Sequence, residues 1–181
     1  GSGVDTRGWG PPFVAPDGSA DPQDRISTYF RSCNRNKESI ALDLKDPADL
    51  VLAQELSARA DVFIQNFKPG GLARFGLDHD SVRARNDRVI YASISGFGAA
   101  GGASLPGYDL LVQAMSGLMS LTGDPDGPPY RAGISVFDVM TGLHTAVGIL
   151  AALHHRDLTG EGQHVETNLL SSALSAMVNQ T

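Results

Sequence analysis

Three short runs, Asp61–Phe67, Arg88–Ser95 and Gly162–Asn168, are rich in the apolar, β-branched and aromatic residues that make buried strands. The segments between them carry apolar residues at helical spacing. Strands alternating with helices constrain the chain to an α/β fold with a mostly parallel sheet. The remaining elements fit that frame. Ser39–Leu44 alternates apolar and polar residues and predicts a further short strand. Asp46-Pro47 supplies a capping residue and a proline preset for a first helical turn, so a helix is expected over 47–59, with Leu50, Leu52, Ala53 and Leu56 at helical spacing. Short helices are expected over 71–75 and 79–86. Longer ones are expected over Tyr108–Leu121, with Leu110, Leu111, Met115 and Leu118 on the apolar side, over Asp138–His155, and from Leu169 onward. Gly96–Gly107 and Thr122–Arg131 are loops, and residues 1–24 have no apolar period and read as a loop-like opening segment.

Composition narrows the function classes. The 181 residues suit one domain with a sizeable core. Glycine (21) and proline (10) are frequent, which favours turns over a helical bundle. The 14 Lys and Arg are outnumbered by 20 Asp and Glu, net charge −6, with no basic run. Nucleic acid and anionic membrane surfaces are therefore poor partners. The longest purely apolar run, Ala146–Leu153, is far shorter than a membrane span, and no signal peptide is visible. A single cysteine, Cys33, excludes a disulfide framework and a cysteine zinc site. A reducing, cytoplasmic setting is expected.

Several short patterns carry less than they suggest. Gly96-Phe97-Gly98-Ala99-Ala100-Gly101 matches the dinucleotide fingerprint after a strand, but glycines and Pro106 follow where a helix should open. A mobile loop or lid beside a ligand fits better. His154 and His155 are adjacent on a helix and diverge by about 100°, so they do not converge on one metal. His144 reads as a satisfied interior histidine, and Cys33, beside Arg35 and Lys37, as an ordinary thiol without a base partner. No G-x-S-x-G elbow occurs. Asp138 is different. It follows the apolar stretch 134–137 and precedes a long apolar helix, the ligand edge of an open α/β sheet. It reads either as a plain helix cap or as an ionised carboxylate nucleophile. Arg35, Lys45, Lys68 and Arg74 lie near turns where phosphates are commonly held.

Beyond these patterns, the chain resembles the family III coenzyme A transferases, the formyl-CoA and carnitine-CoA transferase group. The likeness rests on Asp5-Thr6-Arg7-Gly8-Trp9-Gly10-Pro11-Pro12-Phe13, on Asn34–Ile40, on Asp61–Gly70, on Ser93–Gly98 and on Pro106-Gly107-Tyr108-Asp109. It continues through Gly117–Gly123, Gly127–Pro129, Arg131–Gly133 and Thr159–Val165. The resemblance implies that Asp138, in Ser135-Val136-Phe137-Asp138-Val139-Met140-Thr141-Gly142, is the catalytic aspartate. It implies that Tyr108 and Asp109 form an active-site Tyr-acid pair beside it. Leu42, Lys45, Asn66, Phe67, Arg74 and Phe75 inherit the CoA adenine and phosphate contacts. A cation that some relatives carry just before the tyrosine is replaced here by Pro106-Gly107.

The implied fold is the N-terminal part of a large Rossmann-like domain over 25–181. The first strand region, the C-terminal portion and the small domain are expected to lie outside this chain. The implied chemistry moves CoA from an acyl-CoA to a carboxylic acid through an aspartyl anhydride and an aspartyl-CoA thioester, with no resident cofactor and no metal. The implied assembly is an interlocked homodimer. The stretches Ser27–Phe30, Asn34–Lys37 and Asn168–Ser172 are similar to members that act on dicarboxylic acids such as succinate and glutarate. Two alternatives stand beside this: an α-methylacyl-CoA racemase, disfavoured because Tyr108 replaces the histidine those enzymes carry, and a non-catalytic CoA-binding fragment.

Overall fold

A computed structural model describes residues 5–15, 18–19, 21 and 24–180. Parts of the loop-like 1–24 segment, and Thr181 at the end of the last expected helix, lie outside these residues. The chain divides into two compact units, residues 1–46 and 47–181.

The first unit is small. A 3-10 turn at Asp5–Gly8 precedes β1 (Phe13–Val14), which pairs antiparallel with β2 (Ile26–Ser27). Helix α1 (Thr28–Cys33) begins where Ser27 Oγ accepts the Phe30 N–H. Arg7 stacks its guanidinium 4.2 Å from the Phe30 ring centre. The strand expected over Ser39–Leu44 does not form: the segment is extended or turned, and Ile40 is exposed. Alternation gives a strand only where a neighbour completes its hydrogen-bond ladder, and no described strand pairs with this one.

The second unit contains α2 (Pro47–Arg59), β3 (Val62–Gln65), a 3-10 turn (Ala73–Phe75) and α3 (His79–Arg85). It continues with β4 (Ile90–Ser95), α4 (Asp109–Met115), α5 (Val136–Thr159), β5 (His164–Asn168) and α6 (Leu169–Met177). The three strands form one parallel sheet in the order β3-β4-β5, so the expected α/β class holds. Register places Phe63, Tyr91 and His164 abreast, then Gln65, Ser93 and Glu166. These residues share one sheet face. The opposite face carries Ala92, Ile94 and Val165, and α5 packs there. A Cβ on Gly148 would touch Val165, and Thr145 meets Thr167 at 2.7 Å.

Two apolar clusters hold this unit. The larger joins Val112, Phe137, Leu169, Ala173 and Met177, with Ile94 and Phe97 against it. The smaller is Val82, Val89 and Tyr91 with Phe63. Arg156, near the end of α5, donates to the carbonyls of Asp61 (3.4 Å) and Arg88 (3.2 Å) and to the Asp61 carboxylate (3.2 Å), tying the helix to the starts of β3 and β4. By length and composition α5 is apolar enough to cross a membrane, a test that core helices also pass. Val139, Leu143, Val147, Leu150 and Leu158 form an exposed stripe along it.

One expectation is overturned in part: Leu118 packs against the larger cluster and Leu111 is half-buried, but the other two residues of the expected apolar side are not. The helix expected over Tyr108–Leu121 is a two-turn α4 followed by a separate 3-10 turn, Leu118–Ser120, because Gly117 takes φ +88°. Its buried side carries Asp109, Val112 and Gln113, while Leu110 and Met115 are exposed. A carboxylate and an amide have displaced leucine and methionine from the interior, and the reason lies in the site.

Candidate active site

The long helix α5 has no capping side chain of its own. Its N-cap residue, Ser135, makes no side-chain bond to the helix. The first-turn N–H groups of a helix lack intrahelical acceptors, and here a residue from another helix supplies them. Asp109 Oδ2 accepts the N–H of Phe137 at 2.7 Å and that of Asp138 at 3.1 Å. Asp109 is 8% exposed. Two N–H donors and the positive end of the helix dipole account for a carboxylate being held in the interior.

Asp138 stands in the first turn of α5, one turn beyond a simple cap position. Its side chain reaches the surface, yet its carboxyl is held above the ordinary carboxylate range. Loss of hydration among neighbouring groups is the larger cause, and the negative charge of Asp109 is the second. The two carboxylates therefore play different parts. Asp109 is spent on backbone donors, while Asp138 is presented outward and is a better base than a free aspartate. A carboxylate of that kind can attack a carbonyl carbon.

The loop before α4 brings this pair to the sheet edge. Gly96 and Gly107 pinch the loop's two ends together: a Cβ on Gly107 would lie 2.9 Å from Gly96 Cα and N, and one on Gly96 would come closer still to Gly107 Cα. Only glycine permits that approach. Gly98 N–H donates to Ser95 Oγ at 3.0 Å, and the Leu170 N–H to the Gly96 carbonyl at 3.0 Å. Tyr108 and Asp109 therefore start from the carboxyl end of β4. Tyr108 is 71% exposed and beside the first turn of α4, so the structure brings Asp109 and Asp138 into contact while Tyr108 stands free at the surface.

The expected CoA residues separate between the units. Leu42 and Lys45 belong to the first unit. Asn66, Phe67, Arg74 and Phe75 belong to the second, on the turn after β3 and on the following 3-10 turn. Phe67 is an exposed ring, held where its N–H donates to Gln65 Oε1 at 2.8 Å. Arg74 stacks on Phe75 at 4.5 Å. No cluster of three or more metal-type ligands occurs among the described residues.

A cleft of about 640 Å³ opens on the polar sheet face, between the turn 67–72 and the loop residues 98–100. It is not where the carboxylate pair lies: neither Asp109 nor Asp138 lines it. The carboxylate pair stands instead at the N-terminus of α5. Inside the cleft His79 and His164 stack at 4.4 Å, Ser93 Oγ meets His164 Nε2 at 2.9 Å, and the Tyr91 hydroxyl donates to the Leu77 carbonyl at 2.8 Å. Burial, with Asp78 adding, pushes the Tyr91 phenol up to about 12. Burial, and then His79, lowers the His164 imidazole. Sequence reasoning passed over this cluster and over Gln113. Side chains from three distant segments, His79, Tyr91 with Ser93, and His164, leave no spacing signal, whereas Asp109 and Gln113 at i and i+4 did leave one.

The fold and the site together define an α/β protein with an exposed carboxylate, Asp138, in the first turn of its long helix. The profile of CoA-transferase family III matches residues 2–181, and the chain belongs to that family. It is 48% identical over 179 residues to the succinate–glutarate CoA-transferase of Agrobacterium fabrum, covering 98% of this chain and 44% of that protein. It is 42% identical over 178 residues to the human succinyl-CoA:glutarate CoA-transferase, covering 98% of this chain and 39% of that one. It is 43% identical over 177 residues to the acetyl-CoA:oxalate CoA-transferase of Acetobacter aceti, covering 97% of this chain and 43% of that protein. The crystal structure of a CaiB/BaiF family protein from Brucella suis superposes with a TM-score of 0.89 at 44% identity, covering 97% of this chain and 46% of that one. The chain thus spans less than half the length of the relatives it matches.

Proposed function

We propose that the protein carrying this segment transfers coenzyme A from an acyl-CoA donor to a carboxylic acid, with Asp138 as the covalent nucleophile. The observation that supports this most is the division of labour between the two carboxylates: Asp109 binds the helix N–H groups, and Asp138 remains outward and more basic than usual. In the proposed cycle an Asp138 carboxylate oxygen attacks the thioester carbonyl, the C–S bond breaks, and CoA leaves as thiolate. The product is a mixed anhydride. The thiolate then attacks the Asp138 carbonyl of that anhydride and releases the donor acid as a carboxylate, leaving an aspartyl-CoA thioester. The acceptor carboxylate enters by the reverse sequence. Each step exchanges one activated acyl bond for another, which is the benefit of covalent catalysis here.

Phe67, with its exposed ring, suits stacking against an adenine, and Lys45 and Arg74 suit the phosphates. Leu42, Asn66 and Phe75 complete the proposed CoA contacts, and Tyr108 is proposed beside the reacting centre. Dicarboxylic acids are the proposed acceptors, since two of the similar proteins are named for succinate and glutarate. The reading includes a homodimer, no resident cofactor and a cytoplasmic setting.

The test is a panel of acyl-CoA donors and acids with the natural protein that carries this segment, alongside Asp138→Ala. Transfer to a dicarboxylate that vanishes in Asp138→Ala is expected. Transfer retained in that variant refutes the reading.

A further inference from the structure

Gln113 is 1% exposed, and its side-chain amide is enclosed between Asp109 and the segment that leads into α5. Its Nε2 donates to Asp109 Oδ1 and, at 3.2 Å, to the Ile134 carbonyl. Its Oε1 accepts the Ala132 N–H at 2.8 Å. The orientation of the amide is unambiguous, because its nitrogen faces two acceptors and its oxygen faces a donor. The same side chain therefore restrains both oxygens' host, Asp109, and two points on the approach to the helix. Asp109 in turn holds the N–H groups of Phe137 and Asp138 through its other oxygen. A polar group is costly to bury unless fully bonded, and this one is bonded only to parts that aim Asp138.

We propose that Gln113 is a positioning residue for acyl transfer: it locks the Asp109 carboxylate and the 132–134 approach so that the first turn of α5, and Asp138 with it, is fixed for attack. This inference rests on the proposed role of Asp138. It concerns a residue that touches no substrate, and a misplacement of even 1 Å in a reacting group costs about 10²-fold in rate.

The test uses Gln113→Met, which keeps the volume and removes every bond, and Gln113→Glu, which keeps the shape but turns a carboxylate toward Asp109. Two readouts are taken. In the 181-residue chain, amide hydrogen exchange at Phe137 and Asp138 is expected to quicken about tenfold or more in both variants, as buried bonds are lost. In the natural protein carrying this segment, kcat is expected to fall about tenfold to 100-fold with KM for acyl-CoA within twofold of wild type. Protonating the carboxyl in Gln113→Glu restores a donor toward Asp109, so that variant is expected to recover part of its deficit as the pH falls. If Gln113→Met does not fold, Gln113→Glu carries the test. Unchanged exchange at the two amides overturns the proposal, as does a fall confined to KM. Activity retained in Asp138→Ala overturns the nucleophile reading instead, and the exchange measurement still reports on the tether by itself.

Discussion

Replacing Asp109 tests how much of the site depends on one borrowed cap. Asp109→Ala removes the acceptor of two first-turn N–H groups, at 2.7 and 3.1 Å, and the partner of the Gln113 amide. Loss of a helix cap costs about 0.5–2 kcal/mol, and a buried donor left unsatisfied about 1–3 kcal/mol. These contributions overlap in one network, so the sum is about 3 kcal/mol. At roughly 2–4 °C per kcal/mol for a chain of this size, Tm falls by about 6–12 °C. Asp109→Asn is the informative control. Its one oxygen can still meet the helix N–H groups, but its amide then faces the Gln113 Nε2 donor. Gln113 can turn to accept it only by abandoning the Ala132 N–H. That variant is expected to lose about 1–2 kcal/mol, one bond's share. Both variants remove the charge that helps raise the Asp138 carboxyl, so its titration, followed by carboxyl-carbon NMR, moves down in pH. Thermal unfolding of the 181-residue chain reads the stability. A loss below about 0.5 kcal/mol in Asp109→Ala, the range of ordinary surface changes, refutes the capping argument.

Other consequences follow from single observations. Gly96→Ala drives a Cβ into the Gly107 backbone and is expected to cost about 1–3 kcal/mol. In the active protein it should also raise the ratio of acyl-CoA hydrolysis to transfer, if the pinched loop excludes water from the anhydrides. Tyr91, raised from 10.0 to about 12, keeps its proton more firmly in the folded state than in the unfolded one. The stability it contributes is intact below pH 10 and is lost as the pH climbs towards about 12. Absorbance titration of the phenolate against Tyr91→Phe checks this, and a midpoint near 10 contradicts it. Arg156→Met keeps the stem but frees Asp61 and the Arg88 carbonyl. It should lower stability by about 1–2 kcal/mol, read by urea denaturation.

Much of the second unit was legible in the sequence because its signals are local. Arg88–Ser95 and Gly162–Asn168 are strong strand formers, Pro47 marks a helix start, and glycines mark the pinched loop. Asp138 could be singled out from its place between an apolar stretch and a long helix. The failures have one cause, which is that the deciding partner is distant in sequence. Ser39–Leu44 has the alternation of a strand and no ladder partner among the described residues. The side of α4 that turns inward could not be read from hydrophobicity, since Asp109 and Gln113 are buried to serve a helix that begins 27 residues after Asp109. Of the proposed CoA contacts, Lys45 and Arg74 were also suggested by their place near turns, whereas Leu42, Asn66, Phe67 and Phe75 were reached only through family resemblance, because such side chains carry no spacing of their own.

The most direct measurement is covalent trapping. The natural protein carrying this segment is incubated with an acyl-CoA, quenched with hydroxylamine and digested, and the peptide containing residues 132–156 is sequenced by mass spectrometry. If Asp138 is the covalent nucleophile, a hydroxamate forms on it that depends on acyl-CoA and is absent without it. Transfer activity with no modification at Asp138, or a hydroxamate on Asp109 in its place, contradicts that role.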